Sequence, residues 1–535
     1  MVELKYSHKS RVWLDFELLV ELEQLVELER DIRKIEMFWR VNSYMGIQQK
    51  SYAFRQKVSA DKGWVLTFDD VICLPGYTDF LPHECDIATN LGPFHFESPI
   101  ITAAMDTVTE TQMAIAIARE GGLGVLHRNC SYDRQLEMVK KVKRARSFII
   151  EDVATVSPDM TIREVMQKMK EKGISGFPVI DAKKKVIGII TSRDIPFDPD
   201  FEGTVDQVMT RNPVCLPATV SREEGLNKLY EIRKEKIPLV DDDGILVGLI
   251  TKKDLKPTYP YSSNDDKGRL LVGLGCSPFL PKNQDDLETL KQAAALADIM
   301  MTDVAEFYKK ADMVAAKELM NTLDSKFVLG NIGTYEAAEA ILTYDYPEDK
   351  FIGIKVGMGS GSICTTSIQT GVGAPTLFAT SEVKDAIMDY NPKMGLIADG
   401  GFKYPGDLVK AFAVGADMIM SGHFFAGCTE SPGYIDTVKG RKVKVYRGMG
   451  SAEARAVGSY ADDRYIKESK KLAEGVSGYV SFLGPLKGVL DQLHDGLKNG
   501  LIYGGVKSIK DAPKIRMARI TTSGATEAHP HDLIS

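Results

Sequence analysis

A glycine-rich segment ending in a cysteine, residues 357–366, is the part of this sequence best suited to chemistry. It follows an apolar stretch, residues 351–356, that we predict to be a β-strand. Alternate glycines allow left-handed backbone and close approach to a ligand, and main-chain N–H groups in such a loop can hold a phosphate. The Cys364 thiol, near these main-chain dipoles, could act as a nucleophile. A loop cysteine without a catalytic role is the alternative.

Later segments also place polar or small residues directly after apolar strands. Asp399 ends one predicted strand, where its carboxylate suits ribose hydroxyls. Ser421-Gly422-His423 ends the next, in the position of the common phosphate site of TIM barrels. Residues 446–451 follow, and then Asp463-Arg464-Tyr465 in a polar segment that we predict to be a mobile flap. Each has a simpler explanation as a turn or a solvated charge, but together they favour an active site.

These segments require a scaffold that brings strand ends together. Apolar strands alternate with helical segments in two stretches of the chain, which favours a closed TIM (β/α)8 barrel over an open sheet. The pattern opens at residues 66–71. The eight strand candidates are residues 98–106, 121–127, 270–274, 299–303, 327–331, 351–356, 395–398 and 417–420.

The gap between the two stretches, residues 147–260, contains an internal repeat. Residues 174–194 carry two apolar strands and a closing Thr-x-x-Asp, and residues 237–254 repeat the pattern. This resembles a tandem pair of cystathionine-β-synthase (CBS) repeats. The resemblance implies that Asp194 and Asp254 hold the ribose of an adenine or guanine nucleotide, with ATP or GTP as the ligand. A structural module that binds nothing is the alternative.

The remaining boundaries follow from the same patterns. Residues 1–60 are predicted to be a helical extension, because apolar residues from Leu18 to Trp39 recur at three- or four-residue steps. This helix would pack on its own domain or on a neighbouring subunit. Residues 61–146 and 261–535 are predicted to form the barrel, with a flap and a C-terminal tail.

Composition excludes several classes of protein. The 535 residues are 44% hydrophobic and 26% charged, as in an ordinary globular enzyme. A net charge of -7 gives no basic surface for nucleic acid. The seven cysteines show no CxxC pairing, which predicts reduced thiols. No apolar run approaches the roughly 20 residues of a membrane span, and no secretory start is present, so we expect a cytoplasmic protein without a membrane partner.

Five segments together resemble a known family. They look like the signature segments of the IMP dehydrogenase and GMP reductase family, and the resemblance extends over about 65–535. The five segments are residues 68–70, 105–110, 361–364, 398–401 and 446–451. It implies NAD-dependent oxidation of IMP to XMP, a step of guanine nucleotide biosynthesis, through a covalent cysteine–purine intermediate. Hydrolysis of that intermediate would then depend on the flap.

The resemblance also implies a role for each matching residue. The catalytic residues would be Cys364, Thr366, Arg464 and Tyr465. IMP would be bound by Met105, Ser362, Asp399, Gly401, Gly422, Tyr446, Gly448, Met449 and Glu474. NAD would lie against Asp303, Asn331, Gly357 and Gly359. A potassium ion would be held by Gly359, Gly361 and Cys364 together with Glu527, Ala528 and His529 of a neighbouring subunit, which implies a homotetramer or an octamer.

Two alternatives remain open from the sequence. A GMP reductase, which converts GMP to IMP and ammonia with NADPH, shares the cysteine and the barrel. The turn at residues 302–305, the Thr366 and Glu474 pair and the unusual His423 favour it, whereas the flap at residues 463–475 favours a dehydrogenase. A non-catalytic nucleotide-sensing scaffold is the second alternative, and the intact Cys364 loop argues against it.

Overall fold

The computed structural model describes residues 2–4, 12–14, 54–58, 63–145, 149–150, 153–196, 202–252, 259–456 and 473–530. The chain divides into two compact units, Met1–Tyr52 and Ala53–Ser535. In the first unit, strands Val2–Leu4 and Val12–Leu14 form an antiparallel pair. The predicted helix from Leu18 to Trp39 lies outside the described residues. The second unit begins before the expected boundary at residue 60.

Eight parallel strands close into a barrel in the second unit, which confirms the predicted fold. Each strand pairs with the next along the chain, and the eighth pairs with the first. All eight predicted strands are present, with ends shifted by a few residues. They are β1 Ile100–Thr102, β2 Leu123–Leu126, β3 Gly273–Cys276, β4 Ile299–Thr302, β5 Lys326–Ile332, β6 Phe351–Val356, β7 Gly395–Asp399 and β8 Met418–Ser421.

Eight helices surround the barrel. They are α1 Thr111–Arg119, α2 Tyr132–Arg144, α3 Gln284–Leu296, α4 Lys310–Thr322, α5 Tyr335–Leu342, α6 Thr376–Tyr390, α7 Pro405–Ala413 and α8 Leu486–Tyr503. Side-chain caps begin several of them: the Ser131 hydroxyl accepts from the Arg134 N–H, and the Thr334 hydroxyl accepts from the Ala337 N–H. Helix α8 packs against α7 and α1, which completes the ring.

A hairpin closes the amino-terminal end of the barrel. Its strands, Thr89–Leu91 and Phe94–Phe96, carry the buried side chains of Leu91 and Phe96 into the barrel's interior core. A Cβ at Gly395, the first residue of β7, would lie 2.4 Å from the Leu91 side chain, so a larger residue there would displace Leu91. The opposite, carboxyl-terminal end is the one left for ligands.

The insert leaves the barrel between α2 and β3 and contains two similar units. The first comprises Ile162–Lys172, Gly176–Ile180, Val186–Thr191, Val205–Val208 and Thr210–Arg211. The second comprises Leu216–Pro217, Arg222–Glu231, Lys236–Val240, Leu246–Thr251 and, from the start of the insert, Ile149–Ile150. The two hairpin tips meet, since the Leu246 N–H donates to the Lys184 carbonyl at 3.0 Å. Each unit has the predicted helix and two strands; its assignment as a CBS repeat stays a prediction.

Shorter elements complete the unit. Segment 66–71 is not a barrel strand: it contains a 3-10 turn, Phe68–Asp70, and enters an outer strand, Val71–Cys73, that pairs with Met517–Arg519. The others are strands Asp436–Val438, Arg441–Arg447 and Ser477–Ser481, helices Arg55–Val58, Thr366–Thr370, His423–Ala426, Ala452–Ala456 and Thr522–Glu527, and 3-10 turns Pro82–Glu84 and Ile509–Lys514.

All seven cysteines are free thiols. Within the described ranges, no helix combines the length and apolar character needed to cross a bilayer.

Candidate active site

A cleft of about 1120 Å³, here called the mouth cleft, opens at the carboxyl-terminal ends of the strands. All the predicted catalytic, IMP and NAD residues that the structure describes line it, although they are scattered from residue 105 to residue 474. The barrel accounts for this convergence, because parallel strands bring their following loops to one face.

The Cys364 loop presents its thiol to a short polar chain. The Cys364 N–H donates to the Gly361 carbonyl at 2.9 Å, which turns the loop. Cys364 Sγ lies 3.2 Å from Thr366 Oγ1, and that hydroxyl donates to Glu474 Oε2 at 2.9 Å. The Thr365 N–H also donates to the Glu474 carbonyl at 3.1 Å, which ties the glutamate's segment to the loop. A thiol, a hydroxyl and a carboxylate in sequence form a route for a proton away from sulfur.

A buried lysine organises the floor of the mouth cleft. Lys355, on β6, is only 4% exposed, and its Nζ lies 2.9 Å from Asp399 Oδ2 and also donates to Asn331 Oδ1. Asn331 Nδ2 donates to the Gly357 carbonyl at 2.7 Å and to Asp399 Oδ2 at 3.0 Å. The side chains on β5, β6 and β7 therefore hold one another in place. Sequence reasoning missed Lys355, although a lysine near the end of an otherwise apolar strand was a usable signal.

An ion pair joins two motifs that are far apart in sequence. Arg447 donates to both carboxylate oxygens of Asp106, at 3.0 Å and 2.6 Å, and the Asn129 amide donates to the same carboxylate at 2.9 Å. Asp106 stabilises the charged guanidinium and raises the pKa of Arg447. The Arg447–Asp106 ion pair holds the neighbouring Tyr446 in the cleft wall. Burial there raises the pKa of the Tyr446 phenol to about 12. Tyr446 is therefore neutral at physiological pH.

Main-chain N–H groups converge beside Tyr446. Among the described residues, the N–H groups of Gly401, Gly422 and His423 have no hydrogen-bond acceptor. Gly401 has a left-handed φ of 82°. A Cβ at Gly422 would lie 2.7 Å from Met105 Sδ and 2.9 Å from the Tyr446 hydroxyl oxygen, so glycine is required there. Unpaired N–H donors at the ends of β7 and β8 form a cradle suited to an anion.

Comparison with known proteins agrees with this geometry. A sequence model of the IMP dehydrogenase / GMP reductase domain matches residues 65–531. The chain belongs to this family. An inosine-5'-monophosphate dehydrogenase from Korarchaeum cryptofilum is 43% identical over 88% of this chain and 97% of the relative. One from Methanocaldococcus jannaschii is 42% identical over 90% of this chain and 97% of its own length.

Solved structures of the IMP dehydrogenase and GMP reductase family superpose on the chain. GMP reductase from Trypanosoma brucei in complex with guanosine 5'-monophosphate gives a TM-score of 0.77 at 32% identity, covering 89% of this chain and 99% of that one. The same enzyme with guanosine 5'-triphosphate gives a TM-score of 0.67 at 30% identity. The barrel fold is thus shared, and sequence identity is higher to the dehydrogenases.

Some of the residues that the family resemblance implies lie outside the described ranges, and some described ones do not line the mouth cleft. Arg464, Tyr465 and the insert's Asp254 lie outside the described residues. The predicted potassium ligands of the tail, Glu527, Ala528 and His529, do not line the cleft of their own chain. The ring of His529 instead lies 5.9 Å from that of Tyr404.

Proposed function

We propose that this chain is an NAD-dependent IMP dehydrogenase that oxidises IMP to XMP for guanine nucleotide biosynthesis. The arrangement of Cys364, Thr366 and Glu474 in the mouth cleft carries the proposal, because it provides a nucleophile and a route for its proton. Relatives 42–43% identical over nearly their full length support the assignment to the dehydrogenase branch.

The substrate would be held by the groups around the thiol. Gly401 and Gly422 N–H groups, with Ser362, would bind the 5′-phosphate, and Asp399 would accept from the ribose hydroxyls. Lys355 and Asn331 keep the Asp399 carboxylate in position. Met105, Tyr446, Gly448, Met449 and Glu474 line the part of the cleft left for the purine.

In the first half of the reaction, Cys364 Sγ adds to C2 of the hypoxanthine ring. The thiol proton passes through the Thr366 hydroxyl to the Glu474 carboxylate. NAD, when bound, would supply a nicotinamide that accepts the hydride from C2. Asp303, Asn331, Gly357 and Gly359 line the cleft and would hold the cofactor; a carboxylate at Asp303 suits a ribose hydroxyl.

In the second half, water hydrolyses the thioimidate to XMP and frees the thiol. Arg464 would act as the base toward this water, with Tyr465 beside it. A guanidinium has a pKa above about 12, so a buried partner must favour its neutral form for this role.

The deciding experiment compares two substrate pairs. Incubation with IMP and NAD should produce the absorbance of reduced nicotinamide, whereas GMP and NADPH should react more slowly. Faster consumption of NADPH with GMP would make the chain a reductase, the activity named for the superposed structures. Absence of change with both pairs would leave the non-catalytic scaffold.

A potassium ion would bind to the main chain of the Cys364 loop. Main-chain carbonyls of Gly359, Gly361 and Cys364 suit a hard monovalent cation, and the left-handed φ of 75° at Gly359 turns the chain there. Since Glu527, Ala528 and His529 do not line their own chain's cleft, a neighbouring subunit would supply them, in a homotetramer or octamer. Sodium or lithium in place of potassium should lower turnover severalfold; equal rates with all three ions would contradict the site.

The insert would be a regulatory module. A cleft of about 1020 Å³, here called the insert cleft, is lined by Asp194 and by Arg193, Lys234 and Lys236, which suit a nucleotide's ribose and phosphates. Asp194 Oδ2 accepts from the Thr191 N–H and hydroxyl, both at 2.7 Å, which fixes the carboxylate. ATP or GTP should therefore raise the melting temperature of the full chain but not of a chain lacking the insert. A cytoplasmic location stays a prediction.

A further inference from the structure

The mouth cleft has an uneven distribution of charge. Two basic side chains line it in the described part of the chain, Lys355 and His423. The Lys355 ammonium is paired with Asp399 at 2.9 Å. Two further acids, Asp303 and Glu474, also line the cleft. The Lys355 ammonium is therefore already neutralised, and His423 is the described cleft residue that could add a positive charge beside a bound phosphate.

His423 lies where that phosphate would bind. It directly follows Gly422, and the unpaired N–H groups of both residues belong to the anion cradle. Its side chain lines the cleft, with its ring centroid 6.2 Å from that of Tyr446. No ion pair joins its imidazole to an acid within the ranges that the structure describes. An unpaired main-chain donor and a titratable side chain thus belong to the same cleft-lining residue.

We infer that His423 binds the 5′-phosphate of the substrate as an imidazolium and couples substrate binding to uptake of a proton. This inference rests on the proposed function and assigns a specificity-determining residue within it. A serine at this position could donate a hydrogen bond to the phosphate, and a glycine could leave space for it. Neither could supply a positive charge.

The coupling follows from the surroundings of the imidazole. The His423 side chain is partly exposed, and its partial desolvation by the cleft wall lowers its pKa below the ordinary value, so the free imidazole is largely neutral near pH 7. A dianionic phosphate in contact with it favours the charged form and raises that pKa again. Tyr446, which faces it from the neighbouring hairpin, stays neutral because its pKa is about 12. The other titratable side chains of the cleft are Asp303, Lys355, Cys364, Asp399 and Glu474.

Calorimetry of IMP binding, in the absence of NAD, tests the inference. Titrations in two buffers of different ionisation enthalpy give the number of protons taken up. At about pH 7, the unaltered protein should take up more protons than H423S or H423Q, and should bind IMP about tenfold more tightly. The difference in affinity should shrink at about pH 8.5, where the bound imidazolium loses its proton. The phosphate's own second pKa of about 6 affects all three proteins alike.

Substrates lacking the phosphate supply the matched control. Inosine should bind the unaltered protein and both variants equally, and ribose 5-phosphate should compete with IMP less well in the variants. Turnover at saturating IMP should change much less than KM, because the proposed contact of His423 is with the phosphate and not with the purine. Equal proton uptake in all three proteins, or an equal loss of affinity for inosine, would overturn the inference. Failure to oxidise IMP at all would instead contradict the proposed function.

Discussion

The mouth cleft and the insert cleft differ in how far their charged side chains are exposed to water. In the barrel, Lys355 is 4% exposed and is bonded to two other side chains. In the insert, the Arg193–Glu235 pair, at 2.8 Å, has side chains 76% and 58% exposed. Two charges exposed to water attract each other weakly, whereas two buried charges attract each other strongly and hold their side chains in place. This difference fits the roles proposed for them, a directed reaction in the barrel and reversible ligand binding in the insert.

The largest expected effect that separates the two regions concerns their thiols. Cys364→Ser should lower turnover by more than about 10³-fold while leaving IMP binding largely intact, because a neutral hydroxyl replaces the sulfur nucleophile poorly. Cys215→Ser in the insert is the control; burial raises the pKa of that thiol, and it should change turnover little. Steady-state rates and IMP titrations measure both. Substantial activity in the Cys364 variant would remove it as the nucleophile.

The next effect isolates the second half of the reaction. Arg464→Ala should slow hydrolysis of the adduct by about 10²–10⁴-fold, the usual contribution of a general base, and leave hydride transfer almost unchanged. Rapid mixing with IMP and NAD should show a burst of NADH near one per active site, followed by a slow steady state. A variant with unchanged steady-state turnover would show that Arg464 is only a surface charge.

A smaller effect tests the claim that buried charges organise the mouth cleft. Lys355→Met leaves Asp399 and Asn331 without their shared donor, so KM for IMP should rise about 10-fold or more. Breaking a buried pair should also lower the free energy of unfolding by about 3 kcal/mol. Arg193→Met, which breaks the exposed pair of the insert, should cost less than about 1 kcal/mol and leave KM unchanged. Denaturant unfolding and steady-state kinetics compare them; equal losses would show that burial does not distinguish the two clefts.

The smallest effect is expected from removing one region altogether. Deletion of residues 147–260 should leave turnover near that of the full chain, because the insert begins and ends in one barrel connection, between α2 and β3. Steady-state rates of the deletion variant, with circular dichroism as a check on folding, measure this. A folded variant without activity would mean that the insert shapes the mouth cleft directly.

The fold was largely predictable because its signals are local. Each barrel strand is a short apolar run followed by small or polar residues, and each is found near its predicted position. The loop at Cys364 was predictable for the same reason, since its glycines and thiol are contiguous. Segment 66–71 was harder: its alternation resembles a strand, but Thr67 and Asp70 close a capped turn, the threonine hydroxyl donating to the carboxylate at 2.8 Å.

Contacts between distant segments could not be predicted from local patterns. Asp106 and Arg447 were each part of a recognised motif, yet nothing in either motif shows that one side chain binds the other across 341 positions. The Lys355 network also depends on three strands that meet only once the barrel closes. His423 was noticed as unusual from the sequence, but its position beside unpaired N–H groups required coordinates.

The sealed base of the barrel has a kinetic consequence. Because Leu91 and Phe96 pack into the barrel's interior core, the amino-terminal end offers no route to the mouth cleft, and ligands must enter from the carboxyl-terminal side. Purine nucleotide, dinucleotide, water and both products must enter and leave by the same opening. A ligand bound nearer the opening would have to leave before one bound beneath it could exchange. A barrel open at both ends would let substrates enter at one end while products leave at the other. A barrel closed at one end favours sequential binding and release.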